Sequence, residues 1–78
     1  MSLSDMANAS YERRQQRIMR LRVMFNRQEI VTVDSAVRRL GYRPQTIISW
    51  CKEGNIPLLD AGQPIVPVTD VNRPKWLN

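Results

Sequence analysis

The stretch from Val31 to Pro57, VTVDSAVRRLGYRPQTIISWCKEGNIP, constrains the fold more than any other part of this 78-residue chain. It holds two short segments whose apolar residues recur with helical spacing, and only residues 41–43 separate them. A connection of this length that starts with glycine is typical of a helix-turn-helix unit. The stretch therefore predicts two helices joined by a tight turn.

The first segment predicts a helix that begins after Thr32 and ends before Gly41. Four apolar residues form a complete stripe at i, i+3, i+4 and i+7. They are Val33, Ala36, Val37 and Leu40. Thr32 is a good N-cap, and Asp34 suits the positive end of the helix. Gly41 takes the left-handed conformation that ends helices without strain, and Arg38 and Arg39 suit the negative end.

The second segment predicts a helix from Pro44 to Gly54. Proline is preorganised for the first helical position, and glycine is expected to end the helix. Apolar residues share one face and polar residues share the other. The apolar set is Ile47, Trp50 and Cys51, and the polar set is Gln45, Ser49 and Lys52. Cys51 is therefore expected to be a buried, inert thiol.

After Gly54 the spacing changes from helical to strand-like. The runs IPLL and PIVPV predict two short strands, joined by a loop of hairpin length from Asp60 to Gln63. Prolines cannot donate ladder hydrogen bonds, so these strands are expected at edges, as both strands of a two-stranded ribbon are. Trp76 and Leu77 are expected to fold back onto the core as an apolar plug.

The N-terminal part predicts a tail over residues 1–9 and a basic amphipathic helix over residues 10–29, with Ser10 as its N-cap. The helical segment contains neither glycine nor proline. An apolar stripe is predicted at Tyr11, Ile18, Leu21 and Phe25, widened by Met24. Met19 and Val23 fall on another side. Either they tolerate partial exposure, or that side packs on a second copy of the chain or on another partner.

The positive charge of the chain is concentrated in this helix. The net charge is +5, and residues 10–27 contain six arginines against one glutamate. A basic block of this kind attracts phosphate polymers or anionic membranes. A solvated helix face is the other interpretation, and composition alone does not separate the two.

Composition argues against several classes of function. The chain has one cysteine and no histidine, so an internal disulfide, a zinc site and general base catalysis by histidine are not expected. The seven carboxylates are scattered singly, which suggests no acid/base pair. We therefore expect no enzyme and no cofactor. The lone cysteine suits a reducing cytoplasm, and no apolar run approaches the length of a membrane span.

A helix pair with a basic surface is the geometry that reads DNA. A major groove about 12 Å wide admits one α-helix, whose polar N-terminal side chains reach base edges. Gln45, Thr46 and Ser49 are the candidates for bases, and Arg43 and Lys52 are the candidates for phosphates. Further candidates for DNA contact are Arg38 and Arg39, and the candidates for backbone contact from the basic helix are Arg13, Arg14, Arg17 and Arg20.

Residues 32–57 resemble the helix-turn-helix of MerR-like and excisionase-type winged-helix proteins. The matching residues are Thr32, Ala36, Leu40-Gly41, Thr46-Ile47, Trp50 and the exit Gly54 to Pro57. The same region is similar to the DNA-binding end of small terminase subunits of tailed phages. The resemblance implies a mainly α fold with a small β-hairpin, a winged helix-turn-helix over residues 30–78. It also implies a recognition helix from Pro44, with DNA contacts at Gln45, Thr46, Ser49 and Lys52.

Three features depart from the family pattern. Arg43 stands where a serine or threonine N-cap is usual, and Ile48 replaces a polar or basic residue. The tip of the expected wing, DAGQ, has no basic residue and carries Asp60. Ile48 is expected either to meet a thymine methyl group or another protein, or to belong to the core.

The sequence therefore predicts a small DNA-binding protein of a phage or other mobile element, an excisionase-like architectural protein or a transcriptional regulator. Double-stranded DNA is the expected partner. The resemblance implies a recombinase or another phage protein as a further partner. The basic helix suggests a second copy of the chain, in a homodimer. Two alternatives stay open: a packaging or morphogenesis adaptor, and an interaction module that keeps the fold without binding DNA.

Overall fold

The computed structural model describes the backbone of residues 3–77 and the side chains of residues 9–77. These residues form three helices and a two-stranded antiparallel hairpin, so the expected mainly helical chain with a small hairpin is confirmed. The elements in chain order are α1 (Leu3–Asn26), α2 (Val33–Leu40), α3 (Pro44–Gly54), β1 (Leu59–Asp60) and β2 (Gln63–Pro64).

Helix α1 is longer at its start than the sequence predicted. It begins at Leu3, so most of the expected tail is helical and Ser10 lies inside the helix instead of capping it. The segment from Leu3 onward has no glycine or proline to stop a helix. Residues 1 and 2 of the expected tail lie outside the described residues. The helix ends at Asn26, where Gln28 takes a left-handed conformation with φ 62° and closes the last turn.

Helix α2 follows the local signals closely. Thr32 is the N-cap: its hydroxyl accepts from the N–H of Ser35 at 3.1 Å, and the Ser35 hydroxyl accepts from the N–H of Thr32 at 3.0 Å. This reciprocal pair satisfies two N–H groups that the helix itself leaves free. At the other end Gly41 is left-handed, with φ 77°, and donates to the carbonyl of Val37 at 2.8 Å. Both predicted ends are confirmed.

Helix α3 has the predicted bounds, but Gly54 has a different role from the one expected. The left-handed residue after the helix is Asn55, with φ 58°. Gly54 is helical and buried, and a Cβ at this position would overlap Cγ2 of Ile18 in α1. Gly54 therefore allows the backbone of α3 to approach α1 closely, a contact between distant elements that helix-end rules do not foresee.

The core lies where the three helices and the segment after α3 meet. Its buried apolar residues are Ile18, Leu21, Met24, Phe25, Ile30, Val33, Ala36, Ile47, Trp50, Cys51, Ile56 and Leu58. The predicted faces of all three helices are confirmed, with Val37 and Leu40 only partly buried against the core. The exception is Tyr11, which is 55% exposed. Helix α1 has 24 residues and is about 36 Å long. Tyr11 lies nearly two turns before Ile18, the first core residue of α1, and so contributes nothing to the core.

The hairpin is shorter than predicted. Each strand has two residues, with Leu59 opposite Pro64 and Asp60 opposite Gln63. The turn consists of Ala61 and Gly62, both with positive φ. The backbone of Leu59 also bonds to the carbonyl of Val31 at 2.9 Å, which ties the hairpin to the segment that leads into α2.

The C-terminal segment folds back as expected, mainly through Trp76. The indole Nε1 donates to the carbonyl of Phe25 at 2.7 Å, and the two rings meet edge to face with centroids 5.3 Å apart. Leu77 is still 38% exposed, so Trp76 forms most of the plug. Upstream, the buried amide of Asn72 donates to Asn55 Oδ1 at 3.1 Å and accepts from the N–H of Thr69, which fixes this segment to the end of α3.

Candidate nucleic-acid interface

The polar side of α3 is exposed to solvent. Gln45, Ser49 and Lys52 are exposed and Thr46 is half-buried, while the apolar residues of the helix are buried on the opposite side. Glu53 is also exposed and continues the spacing of Gln45 and Ser49 by one further turn. We call Gln45, Ser49 and Glu53 the outer stripe of α3, since they stand at i, i+4 and i+8 on one side of the helix.

Helix α1 flanks the outer stripe at its Glu53 end. Arg14 Nε lies 3.4 Å from one carboxylate oxygen of Glu53, and Gln15 Nε2 donates to the other at 3.3 Å. The sequence analysis does not single out Glu53, because a carboxylate repels phosphate and so is not a candidate for DNA contact on the polar side of α3. Its i+8 spacing from Gln45 was a signal that pointed to it.

The hairpin flanks α3 on the opposite side. Between them lies a cleft of about 260 Å³, lined by Ile48, Lys52, Asp60, Gln63, Pro64 and Ile65. Ile48 is half-buried and packs against the core. Of the roles expected for it, that of a core residue therefore fits best. The exposed polar side of α3 is therefore bordered by α1 on one side and by the hairpin on the other.

The arginines of α1 fall into two groups. Arg14, Arg17 and Arg22 face the domain. The guanidinium of Arg17 lies 5.5 Å from the ring centroid of Tyr42 and 5.7 Å from that of Trp50, and Arg22 donates to the carbonyl of Gly54. Arg13 and Arg20 are exposed and seven residues apart, so they share one side of α1, and neither makes an ion pair among the described residues. Of the four predicted backbone contacts, only Arg14 and Arg17 are thus brought to α3.

The remaining predicted cations lie near the start of α3 and on α2. Arg43 is exposed directly before α3, and among the described residues its side chain caps none of the N–H groups at the helix start. Arg38 is exposed on α2. Arg39 is held at 3.2 Å by Glu29, in the connection between α1 and α2. Its ion pair is therefore made with the connection before α2 and not with a residue of α3.

Cys51 is buried in α3. Burial raises the pKa of the Cys51 thiol to about 12, so the thiol stays protonated and is a poor nucleophile at neutral pH. Within residues 9–77 no three histidine, cysteine, aspartate or glutamate side chains cluster as metal ligands would. None of the helices in the described part has the length and apolar character needed to cross a bilayer.

Comparisons of this chain with protein-family models, with curated proteins and with solved structures found no match. What the chain itself offers is an exposed polar helix side, bordered by an arginine-bearing helix and by a hairpin.

Proposed function

We propose that this chain is a small DNA-binding protein of the winged helix-turn-helix type, in which α3 enters the major groove. The observation that carries the proposal is the exposure of Gln45, Ser49 and Lys52 between α1 and the hairpin. An α-helix with its side chains is about 10–12 Å across, which matches a major groove about 12 Å wide. A duplex approaching this side therefore meets polar side chains first.

The side chains of α3 divide into base-reading and backbone-binding groups. Gln45 is in the first turn and has the amide that pairs in bidentate fashion with adenine, and Ser49 supplies one hydroxyl a turn later. Thr46 is half-buried and presents only part of its side chain. Arg43 and Lys52 are both exposed, one directly before the helix and one in its last turn, and they are the candidates for phosphate contact.

Helix α1 supplies the cationic flank that the hairpin lacks. The hairpin carries Asp60 and no basic residue, so its tip attracts phosphate weakly. On the other side Arg14 and Arg17 lie against α3. Arg13 and Arg20 face outward and act mainly through the long-range field that draws the protein to DNA.

Within this function the resemblance of residues 32–57 favours an excisionase-like architectural protein or a regulator from a mobile element. Such a protein would act on double-stranded DNA beside a recombinase or another phage protein. A packaging or assembly adaptor is the second candidate, and the exposed Met19 and Val23 on α1 favour it. An interaction module without DNA binding has less support, because Ile48 packs largely against the core of its own chain.

A mobility-shift titration on random duplex DNA across a salt series tests the proposal. We expect binding whose log affinity falls linearly with log salt. Lys52→Gln should reduce the slope by about 0.9, whereas Lys75→Gln removes the same charge from the C-terminal segment and should leave the slope unchanged. Absence of binding at about 50 mM salt would contradict the proposal.

Selection of preferred sites then separates the roles. Sequence-specific complexes with bent DNA favour the excisionase-like role. Salt-sensitive binding without sequence preference favours packaging. Gln45→Ala should weaken binding to a selected site by about 1–3 kcal/mol and leave random duplex nearly unaffected.

A further inference from the structure

Glu53 is an acidic residue on the side of α3 that is proposed to meet DNA. It ends the outer stripe, one turn after Ser49, and its side chain is 37% exposed. Its two carboxylate oxygens are engaged by Arg14 and Gln15, both from α1. The one acidic residue of α3 thus lies at the place where α1 brings a cation to that helix.

We propose that Glu53 acts as a brake on DNA binding, and that Arg14 exchanges Glu53 for a DNA phosphate when the complex forms. This inference rests on the proposed DNA-binding function. In the free protein the two charges neutralise each other. On DNA a phosphate takes the guanidinium, and the carboxylate is left beside a polyanion.

The exchange costs little on the protein side. The ion pair is exposed, with 49% of the Arg14 side chain and 37% of the Glu53 side chain accessible to solvent. Pairs in such surroundings are held weakly, since water and salt screen them. A phosphate offers the same guanidinium two oxygens at suitable spacing, which favours Arg14 over a lysine in this place.

Arg14 also has a second contact, which remains when its ion pair with Glu53 breaks. Its guanidinium lies 5.9 Å from the ring centroid of Tyr11, one turn earlier in α1. Contacts between a cation and an aromatic face are modest at an exposed site. This contact holds the Arg14 side chain against the surface of α1 once the carboxylate is replaced.

The brake acts on every sequence alike, because phosphates are present at every step of a duplex. It lowers affinity for random and preferred sites by the same factor and leaves their ratio unchanged. Stable occupancy then depends on the additional base contacts of Gln45 and Ser49.

A double-mutant cycle tests the exchange. Wild type, Glu53→Gln, Arg14→Gln and the double variant are titrated by fluorescence anisotropy with a random duplex of about 20 base pairs at several salt concentrations. Because one charge corresponds to about 0.9 in the salt slope, Glu53→Gln should tighten binding about five- to tenfold at about 0.1 M salt. Arg14→Gln should weaken binding and flatten the slope by about 0.9.

The cycle also separates direct repulsion from exchange. With Arg14 present, Glu53→Gln removes the repulsion and also frees the arginine. In the Arg14→Gln background only the repulsion is removed, so the gain should be at least about twofold smaller. An equal gain in both backgrounds would overturn the exchange.

Glu29→Gln is the matched control, since it breaks an ion pair of similar length and exposure with Arg39, and neither residue of that pair belongs to α3. It makes the same change in net charge and should leave affinity near the wild-type value. If Glu53→Gln binds DNA no more tightly than Glu29→Gln does, the inference about Glu53 is overturned and the DNA-binding proposal stands. Failure of all variants to bind at low salt overturns the DNA-binding proposal itself.

Discussion

Among single residues, Cys51 links the stability of the fold to pH. Its thiol is buried in α3, and burial raises its pKa from 9.0 to about 12. The unfolded chain ionises this thiol near the lower value, so between these two pH values the unfolded state binds fewer protons than the folded state. The free energy of unfolding therefore falls as pH rises above about 9, by about 1 kcal/mol per pH unit near pH 10.

Urea denaturation at several pH values between about 8 and 11 checks this dependence. Other groups also titrate in this range, so Cys51→Ala is the reference. The variant should be less stable at neutral pH because it leaves a small void. Its stability should then fall less steeply with pH than that of the wild type, and equal slopes for the two proteins would show that the thiol contributes nothing.

Ala61 is a second residue with a stability effect of its own. It has φ 54° in the turn between β1 and β2, and Gly62 follows with φ 84°. Two successive positive φ values define the hairpin turn that favours asparagine followed by glycine. Alanine in this conformation costs roughly 1 kcal/mol. We expect Ala61→Asn to raise the free energy of unfolding by about 0.5–1 kcal/mol and Ala61→Val to lower it, as read by thermal denaturation.

At the scale of elements, the contact between α1 and α3 depends on Gly54. Alanine at this position would favour the helix by about 1 kcal/mol in isolation. Here its Cβ would overlap Cγ2 of Ile18, so Gly54→Ala should instead destabilise the fold by about 1–3 kcal/mol. Chemical denaturation measures the loss.

Ile18→Ala provides the control for this contact because it removes the obstructing Cγ2. The single variant loses stability through the cavity it creates. Added to that background, Gly54→Ala should cost much less than in the wild type, so the double variant should lose less stability than the two single variants together. Strictly additive losses would mean that the close approach of α1 and α3 is not what Gly54 provides.

The elements differ in how much of them the sequence could predict. The bounds of α2 and α3 follow from local chemistry at Thr32, Gly41 and Pro44, and these predictions hold. The predicted start of α1 is too late, because a serine that could cap a helix also tolerates a helix interior when nothing stops the helix before it. The expected role of Gly54 differs from the observed one because its neighbour, Ile18, is distant in sequence. The spacing of residues within one helix does not predict such a contact between two helices.

The candidate site was predictable only in part, for a similar reason. Exposure of the polar face of α3 follows from helical periodicity around Ile47 and Trp50, and the structure agrees. Which arginines of α1 reach α3 depends on how the two helices cross, and periodicity within one helix leaves that open. Tyr11 shows the same limit: the pattern put it on the apolar stripe, but α3 does not extend beneath it.

At the scale of the whole molecule, the proposed DNA-binding side and the outer side of α1 should respond to salt in opposite directions. On the outer side, Met19 is 65% exposed and Val23 is 41% exposed, and the exposed Arg20 stands three residues before Val23 and so borders them. Two copies that pair through this side bury apolar surface but bring like charges together. Salt screens that repulsion, whereas it weakens binding to phosphates.

We therefore expect weak self-association that strengthens as salt rises from about 0.05 to 0.5 M. Sedimentation equilibrium at high micromolar concentration measures it, and a Met19→Ser/Val23→Ser variant should remain monomeric at every salt concentration. Replacing Arg20 with glutamine should shift the wild-type association to lower salt, because it removes one of the repelling charges. The phosphates of bound DNA neutralise arginines in the same way that added salt screens their charge. The pairing of two copies through Met19 and Val23 should therefore also make binding to long duplexes cooperative. A chain that stays monomeric throughout the series would show that Met19 and Val23 are ordinary exposed residues and would remove the support that they give to an assembly role.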